Sequence, residues 1–197
     1  MTETGVIKFV TKRLSSIVPP FPELDELNRC RAGLVEAGLL GRDKQGIGFG
    51  NISVRRPDEP GFYITPSGSG DRPILSAADI VQVIEWNISK NKIEFRGASD
   101  PSSESLTHAA VYESDETVGA IVHAHDSFLW KCLLAAGDAT SGAAEYGTPA
   151  MAAAVKEFIR TRRGNEILFA MNGHAGGLLC CGHTLESICL RLLTAKK

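Results

Sequence analysis

Two histidines separated by one residue follow an apolar stretch near the middle of the chain. Residues 119–122 have the composition of a buried strand, and His123-Ala124-His125 comes directly after them. Because side chains alternate between the two faces of a strand, positions 123 and 125 project to the same side. Two imidazoles placed in this way can bind one metal ion at about 2.0–2.1 Å. Alone, the pattern is weak evidence for a metal site, since ordinary histidines also occur at strand ends.

A second segment joins a helix start to a carboxylate. Pro101, Ser102 and Ser103 precede Glu104 and an apolar-periodic stretch, so we predict that Ser102 or Ser103 is the N-cap. Glu104 then lies in the first turn, where its charge favours the helix dipole. The two hydroxyls and the free N–H groups also form an anion site, from which Glu104 could reach a metal. His108 falls on the same helical face, where it either orders the carboxylate or has a structural role.

Three further segments place glycines beside small polar side chains. In residues 48–53 and 63–70, glycines allow backbone N–H groups to approach a ligand such as phosphate closely. Ordinary hairpin turns have the same composition. Residues 171–177 hold His174 in a glycine-rich turn after an apolar strand, where a histidine is usually structural or solvated.

The elements that must position these residues are short and follow one another closely. Gly and Pro turns separate the strands, and their spacing suits antiparallel neighbours better than βαβ crossovers. We therefore predict an α/β domain with an antiparallel or mixed sheet covered by helices. Residues 1–21 are predicted as an N-terminal extension and residues 22–197 as a single domain. The first predicted helix runs from Pro22 to either Gly38 or Gly41, and the others cover about 103–113, 128–136, 149–163 and 185–193. The predicted strands cover 48–55, 62–65, 80–85, 92–95, 118–123, 167–170 and 178–180.

Composition excludes several classes of protein. The 197 residues are 43% hydrophobic and 22% charged, with a net charge of −2, which argues against disorder. No run of like charges suggests a nucleic-acid or anionic-membrane partner. No apolar run approaches the roughly 20 residues that span a bilayer, and residues 1–10 do not form a signal peptide. Five cysteines without metal-ligand spacing indicate reduced thiols and a cytoplasmic location.

In this order, the segments resemble the successive motifs of the class II aldolase/adducin family. The resemblance extends from about Leu24 to Leu193. The motifs that carry it are Gly50-Asn51-Ile52-Ser53, Ile64-Thr65-Pro66-Ser67-Gly68, Pro101-Ser102-Ser103-Glu104 with His108 and Tyr112, Val122-His123-Ala124-His125, Asn172-Gly173-His174-Ala175-Gly176 and Gly182-His183-Thr184-Leu185-Glu186.

The resemblance implies a three-layer α/β/α fold with a largely antiparallel central sheet, often assembled as a tetramer with sites near the subunit interfaces. It assigns His123, His125 and His174 to one divalent metal, usually zinc, with iron, cobalt or manganese also compatible with these ligands. Glu104 is implied as the fourth ligand and, once substrate arrives, as the acid/base. The residues implied to bind the substrate phosphate are Asn51, Thr65, Gly68, Ser102 and Ser103.

The implied activity is that of an aldolase-type lyase of carbohydrate metabolism. A metal-stabilised ene-diolate would form from a small phosphorylated sugar, while phosphate binding supplies orientation. An epimerase, dehydratase or decarboxylase on the same scaffold is an alternative, as is a non-catalytic adducin-like interaction module.

The chain departs from the family pattern at two places. The stretch between His125 and Pro149 is shorter than in the sugar-phosphate aldolases, which place a catalytic tyrosine there. Tyr146 is the one tyrosine available, and we assign it no role because its segment resembles the loop before the next helix. In the family's Asn-His-Gly turn, this chain inserts Gly173 before the histidine and Ala175 after it. His174 is therefore the least secure of the three ligands, and His183 is the alternative. Asp126, adjacent to His125, could either contact a metal-ligating side chain without binding the metal itself or cap a helix.

Overall fold

A computed structural model describes residues 8–162 and 164–197. The strands in these ranges are β1 Val10–Ser15, β2 Gly41–Arg42, β3 Gly48–Phe49, β4 Asn51–Val54, β5 Phe62–Ile64, β6 Val81–Asn87, β7 Lys92–Arg96, β8 Ala120–His125, β9 Glu166–Ala170 and β10 Gly177–Gly182. The helices are α1 Leu24–Glu36, α2 Ser105–Ser114, α3 Ser127–Ala136, α4 Pro149–Thr161 and α5 Leu185–Ala195, with a short 3-10 helix at Ala77–Asp79.

One eight-stranded sheet occupies the middle of the molecule. Its strand order is β1-β7-β6-β5-β4-β8-β10-β9, and β2 and β3 pair separately. Strand β1 runs parallel to β7, whereas the other neighbouring pairs are antiparallel. The sheet is therefore largely antiparallel, as predicted.

Side-chain alternation gives the sheet two apolar faces. On one face, Ile121 of β8 packs in a core that includes the buried residues of α2 and α4. On the other face, Ala120 and Val122 of the same strand pack in a core with α1 and α5. Helices thus cover both faces, and the predicted three-layer α/β/α fold is confirmed.

Local capping explains where several helices begin. Thr148 accepts a hydrogen bond from the backbone N–H of Met151, and Pro149 follows in the first turn of α4. Asp126 caps α3 by accepting from the N–H groups of Phe128 and Leu129. The predicted end of α4 at Arg163 lies outside the described residues, and the helix ends at Thr161.

The predicted N-terminal extension contains part of the sheet. Residues 1–7 lie outside the described part of the chain. Phe9 is buried in the core beneath α2 and α4, and Val10–Ser15 form the edge strand β1. The boundary drawn at residue 22 therefore does not coincide with the edge of the sheet. In the described ranges, every helix is too short or too polar to cross a membrane.

Candidate metal centre

The last residues of β8 bring two imidazoles together in the centre of the sheet. Strand β8 pairs with β4 on one side and β10 on the other, so that His123 lies opposite both Asn51 and Leu179. The Nε2 atoms of His123 and His125 are 3.1 Å apart. The strand alternation that predicted a common side for these histidines is therefore present in the structure.

His174 reaches the same point from the turn between β9 and β10. Its Nε2 atom lies 3.2 Å from Nε2 of His123. One ligand nitrogen from each of the three histidines lies within 4.8 Å of those of the other two. Two nitrogen ligands about 2.0–2.1 Å from one tetrahedral zinc ion are themselves about 3.3–3.4 Å apart. The spacing of the three imidazoles therefore fits a single small divalent ion.

Gly177 makes room for the ring of His174. A β-carbon at position 177 would lie 2.1 Å from Cδ2 of His174, which is far inside van der Waals contact. The glycine-rich composition of this turn is thus a requirement for placing the third imidazole.

The protonation of the histidines also suits metal binding. Nδ1 of His123 lies 2.9 Å from the carbonyl oxygen of Leu178. Because a carbonyl only accepts, Nδ1 donates, and Nε2 of the neutral ring keeps its lone pair. Burial drives the pKa of His125 well below its ordinary value, and the neighbouring His123 and His174 act in the same direction. The neutral imidazole, which is the form that ligates metals, is therefore favoured.

Glu104 lines the cavity that contains the three histidines. Its side chain is buried, and Oε2 accepts a 2.6 Å hydrogen bond from Oγ1 of Thr107. Among the described residues, Oε1 of Glu104 has no hydrogen-bond partner. The carboxylate is not part of the compact histidine cluster. A buried carboxylate oxygen without a donor nonetheless suits a position that faces a metal or a substrate proton.

The predicted N-cap of α2 is wrong by one or two residues. Glu104 occupies the cap position, and the helix begins at Ser105. The hydroxyl of Ser102 instead accepts a hydrogen bond from the N–H of Glu104 at 3.3 Å, within the turn before the helix. This turn still presents both serines to the cavity.

Four of the five residues predicted to bind phosphate lie around one cavity of about 390 Å³; these are Asn51, Gly68, Ser102 and Ser103. In the described part of the chain, the buried Oδ1 of Asn51 has no partner, like Oε1 of Glu104. The cavity therefore combines the histidine cluster with several small polar groups.

Thr65 is the exception among the predicted phosphate residues. It is fully buried, and its hydroxyl accepts a 3.1 Å hydrogen bond from the N–H of Ile52. It does not line the cavity. The structure thus does not bring this hydroxyl to the site, because Thr65 joins the end of β5 to β4.

Two residues to which sequence analysis assigned no role also line the cavity. Arg42 lies at the wall and donates from Nε and Nη2 to the carboxylate of Asp71 at 2.7 and 3.0 Å. Tyr146 stacks on His174, with ring centroids 4.7 Å apart. No local pattern in the sequence marks either residue, because tertiary contacts bring them to the site.

The other candidates that the sequence left open lie outside the histidine cluster. His108 is fully buried, and its Nδ1 lies 2.7 Å from Oγ of Ser53. His183 is exposed just before α5 and is outside the histidine cluster. Asp126 caps α3 and pairs with Lys196. Of the candidate third ligands, His174 is the one that the fold brings to His123 and His125.

Comparison with known proteins identifies the family. Residues 41–197 match the family model described as the Class II Aldolase and Adducin N-terminal domain. This match covers well over half of the chain, and the chain therefore belongs to the class II aldolase and adducin family. The resemblance drawn from the motifs is confirmed.

Curated relatives match over shorter stretches. The chain is 37% identical over 81 residues to a "probable L-ribulose-5-phosphate 4-epimerase UlaF" of Mycoplasma pneumoniae, covering 41% of this chain and 31% of that protein. It is 32% identical over 79 residues to a methylthioribulose-1-phosphate dehydratase of Leptospira interrogans, covering 39% and 31%. It is 38% identical over 80 residues to an L-fuculose phosphate aldolase of Methanococcus maripaludis, covering 40% and 38%. The matches span about a third of these relatives' lengths, and their named reactions differ.

Solved structures agree on the fold over nearly the whole chain. An L-fuculose 1-phosphate aldolase superposes with a TM-score of 0.66 at 24% identity, covering 90% of this chain and 84% of that one. At this level of identity, the likeness supports the three-layer fold.

Proposed function

We propose that this chain is a metal-dependent lyase of the class II aldolase type that acts on a small phosphorylated sugar. One observation carries the proposal: three imidazoles converge in the same cavity as the buried carboxylate of Glu104, one oxygen of which has no hydrogen-bond partner within residues 8–162 and 164–197. A protein that only binds other proteins does not require a cluster of metal-ligating histidines beside a buried carboxylate. This favours an enzyme over a non-catalytic adducin-like module.

In this proposal, His123, His125 and His174 hold the divalent ion, with zinc as the first candidate and Glu104 as a further ligand in the absence of substrate. Zinc accepts a set of imidazole and carboxylate ligands, as do iron, cobalt and manganese. When bound, the ion supplies Lewis-acid stabilisation to the negative charge that develops on substrate oxygens.

Glu104 moves the proton. Its Oε1 accepts the proton from the carbon beside the substrate carbonyl, while the hydrogen bond from Thr107 holds Oε2 and fixes the direction of the carboxylate. Because the Glu104 side chain is only 2% exposed, water has little access to compete for that proton. Burial and the hydrogen bond from Thr107 thus support Glu104 as the acid/base.

The phosphate binds on the wall formed by Asn51, Gly68, Ser102 and Ser103. The two serine hydroxyls and the left-handed turn at Gly68, where φ is +73°, offer donors to an anion. Anchoring the group that does not react orients the carbon that does. Thr65 supports this wall through its bond to Ile52 rather than through direct contact.

Proton exchange in deuterated water tests the proposal. Metal-loaded protein is mixed with dihydroxyacetone phosphate and followed by NMR. We expect stereospecific loss of one hydroxymethylene proton signal, and no loss with Glu104→Gln of equal metal content. Absence of exchange by wild-type protein that holds its metal would refute an aldolase acting on this ketose.

The named relatives support a second candidate function, an epimerase or dehydratase that uses the same metal centre. Their names include an epimerase and a dehydratase of sugar phosphates. Either reaction would be supported if metal-loaded protein failed the exchange test but converted a ribulose phosphate or a methylthioribulose phosphate. An interaction module would be supported if the protein bound no metal and His125→Ala changed nothing. The cytoplasmic location and the homotetramer remain proposals that rest on the sequence and on the family resemblance.

A further inference from the structure

The third imidazole of the cluster is supported differently from the other two. His123 and His125 belong to a strand that is hydrogen-bonded on both sides. His174 belongs to a turn in which Gly173 and Gly176 have positive φ angles of 92° and 77°. Backbone hydrogen bonds close this turn, from the N–H of His174 to the carbonyl oxygen of Met171 at 3.1 Å and from the N–H of Gly177 to that of His174 at 2.8 Å. These bonds hold the backbone but do not fix the rotation of the His174 ring. The orientation of the His174 ring must therefore be set by groups packed against it.

Besides the imidazoles of His123 and His125, the ring of Tyr146 packs on the ring of His174. The two ring planes are inclined by 30°, with centroids 4.7 Å apart. Both residues are buried, at 7% exposure for Tyr146 and 3% for His174. A stacked ring resists rotation of its neighbour, so this contact holds the plane of the imidazole.

Gly173 allows the segment that carries Tyr146 to approach. A β-carbon at position 173 would lie 2.4 Å from the carbonyl oxygen of Ala144 and 2.6 Å from the carbonyl carbon of Ala143. The N–H of Asn172 also donates to Oγ1 of Thr140 at 2.8 Å. Gly173, which this chain has in addition to the family's Asn-His-Gly motif, is thus the residue on which segment 143–146 packs.

Lys8 holds Tyr146 from the N-terminal end of the chain. Its Nζ lies 3.7 Å from the centroid of the Tyr146 ring and donates to the carbonyl oxygen of Tyr146 at 3.2 Å. The same ammonium group pairs with Glu145 at 2.7 Å. Lys8 precedes residue 41, where the match to the family model begins. This contact therefore comes from a part of the chain that the family model does not cover.

We propose that Tyr146 is a positioning residue that fixes the ring of His174 for metal binding, and that Lys8 fixes Tyr146. The inference rests on the proposed function, because it treats His174 as a metal ligand. It assigns no proton transfer to Tyr146. Tyr146, to which the sequence alone assigned no role, thus supports a metal ligand. Through Lys8, the segment before α1 also contributes to the metal centre.

Titration with Co²⁺ tests this inference without an activity assay. The affinity is measured by competition with a chelator, and the visible absorption of bound Co²⁺ reports the ligand geometry. We expect Tyr146→Leu to weaken binding about 10- to 100-fold and to change the spectrum, as is usual when a group that orients a ligand is lost. Tyr146→Phe keeps the ring and is expected to bind like wild type. Lys8→Met removes the cation over the ring and is expected to weaken binding about two- to five-fold.

The controls separate this inference from the proposed function. If wild-type protein binds no Co²⁺, the proposed function fails. If wild-type protein binds and His174→Ala does not, but Tyr146→Leu binds with wild-type affinity and spectrum, the positioning role alone is refuted. Circular dichroism of the metal-free variants checks folding. Should Tyr146→Leu not fold, Lys8→Met decides, since it replaces a partly exposed side chain: unchanged affinity in that variant overturns the inference.

Discussion

At the scale of single residues, the absence of a side chain at Gly177 is as important as the imidazole beside it. A methyl group at this position would overlap Cδ2 and Cγ of His174, at 2.1 and 2.8 Å. We predict that Gly177→Ala displaces the ring and weakens Zn²⁺ or Co²⁺ binding by at least about tenfold, measured by chelator competition.

Gly33→Ala is the matched control for this substitution. A β-carbon there would lie 3.7 Å from Cδ1 of Leu193, an ordinary contact in the interior of α1. We expect unchanged metal affinity and a gain of about 0.5–1 kcal/mol in the free energy of unfolding. If Gly177→Ala bound metal as well as Gly33→Ala does, the steric argument would be wrong.

Thr107 supplies the hydrogen bond that Glu104 receives on Oε2, and both side chains are buried. Thr107→Val keeps the shape but leaves this oxygen without a donor. We predict a loss of about 1–3 kcal/mol in the free energy of unfolding, measured with urea on metal-free protein. Thr107→Ser retains the hydroxyl and should lose much less. Equal stability of the two variants would show that the bond contributes nothing.

At this scale, the geometry follows from the sequence where a single strand or helix determines it. Alternation along a strand was sufficient to place His123 and His125 on one side. It could not orient His174, because the contacts of that ring come from segment 143–146 and from the neighbouring strands. The position of Thr65 could not be predicted for a similar reason: its hydroxyl accepts a hydrogen bond from the N–H of Ile52, and that bond depends on how β4 and β5 pair.

At the scale of elements, α1 reaches beneath the cavity wall through Arg31. This side chain is fully buried and donates to the carbonyl oxygens of Ser69 and Arg72, each at 2.5 Å from Nη2. Burial lowers the pKa of Arg31 to about 10, so the guanidinium remains charged at neutral pH. The loop that it holds contains Ser67 and Gly68, which line the cavity.

We predict that Arg31→Met releases this loop. Without the charged donor, the free energy of unfolding should fall by about 1.5–3 kcal/mol. In the exchange assay, KM for the phosphorylated ketone should rise more than kcat falls, because the proposed function assigns this loop to the phosphate rather than to the reacting carbon. Metal affinity should be unchanged. Arg31→Lys should recover part of the KM effect, and a fall in kcat alone would contradict the assignment.

The helices could be read from the sequence because their caps are local. Thr148 before Pro149 fixes the start of α4, and Gly137, with φ of 79°, ends α3. Strand β1 was missed for the opposite reason. Its side chains are mostly exposed, and its partner β7 lies about 80 residues further along the chain. The residues next to β1 in the sequence carry no pattern that predicts its pairing with β7.

At the scale of the whole molecule, a metal bound to the histidine cluster would join elements that are distant in sequence. His123 and His125 come from the central strand, and His174 from the turn before β10, so an ion bound to all three resists unfolding. We predict that metal at about 100 times its Kd stabilises the fold by about 2.7 kcal/mol. For a chain of this size, this raises Tm by about 5–10 °C.

Differential scanning fluorimetry with and without a chelator measures this shift. His125→Ala provides the control, since it should show the same Tm in both conditions. A Tm of wild-type protein that does not respond to added Zn²⁺, Co²⁺ or chelator would count against a metal held by this cluster.

The position of β8 between β4 and β10 has a practical consequence for protein engineering. Two imidazoles are fixed by a strand that is paired on both sides, whereas much of the cavity wall comes from loops such as those holding Asp43, Gly68 and Tyr146. Under the proposed function, we expect that a library varying these loop positions, other than the turn of His174 and Tyr146, changes substrate preference without repacking the sheet. A library directed at β8 would instead lose the metal centre and the folded core together.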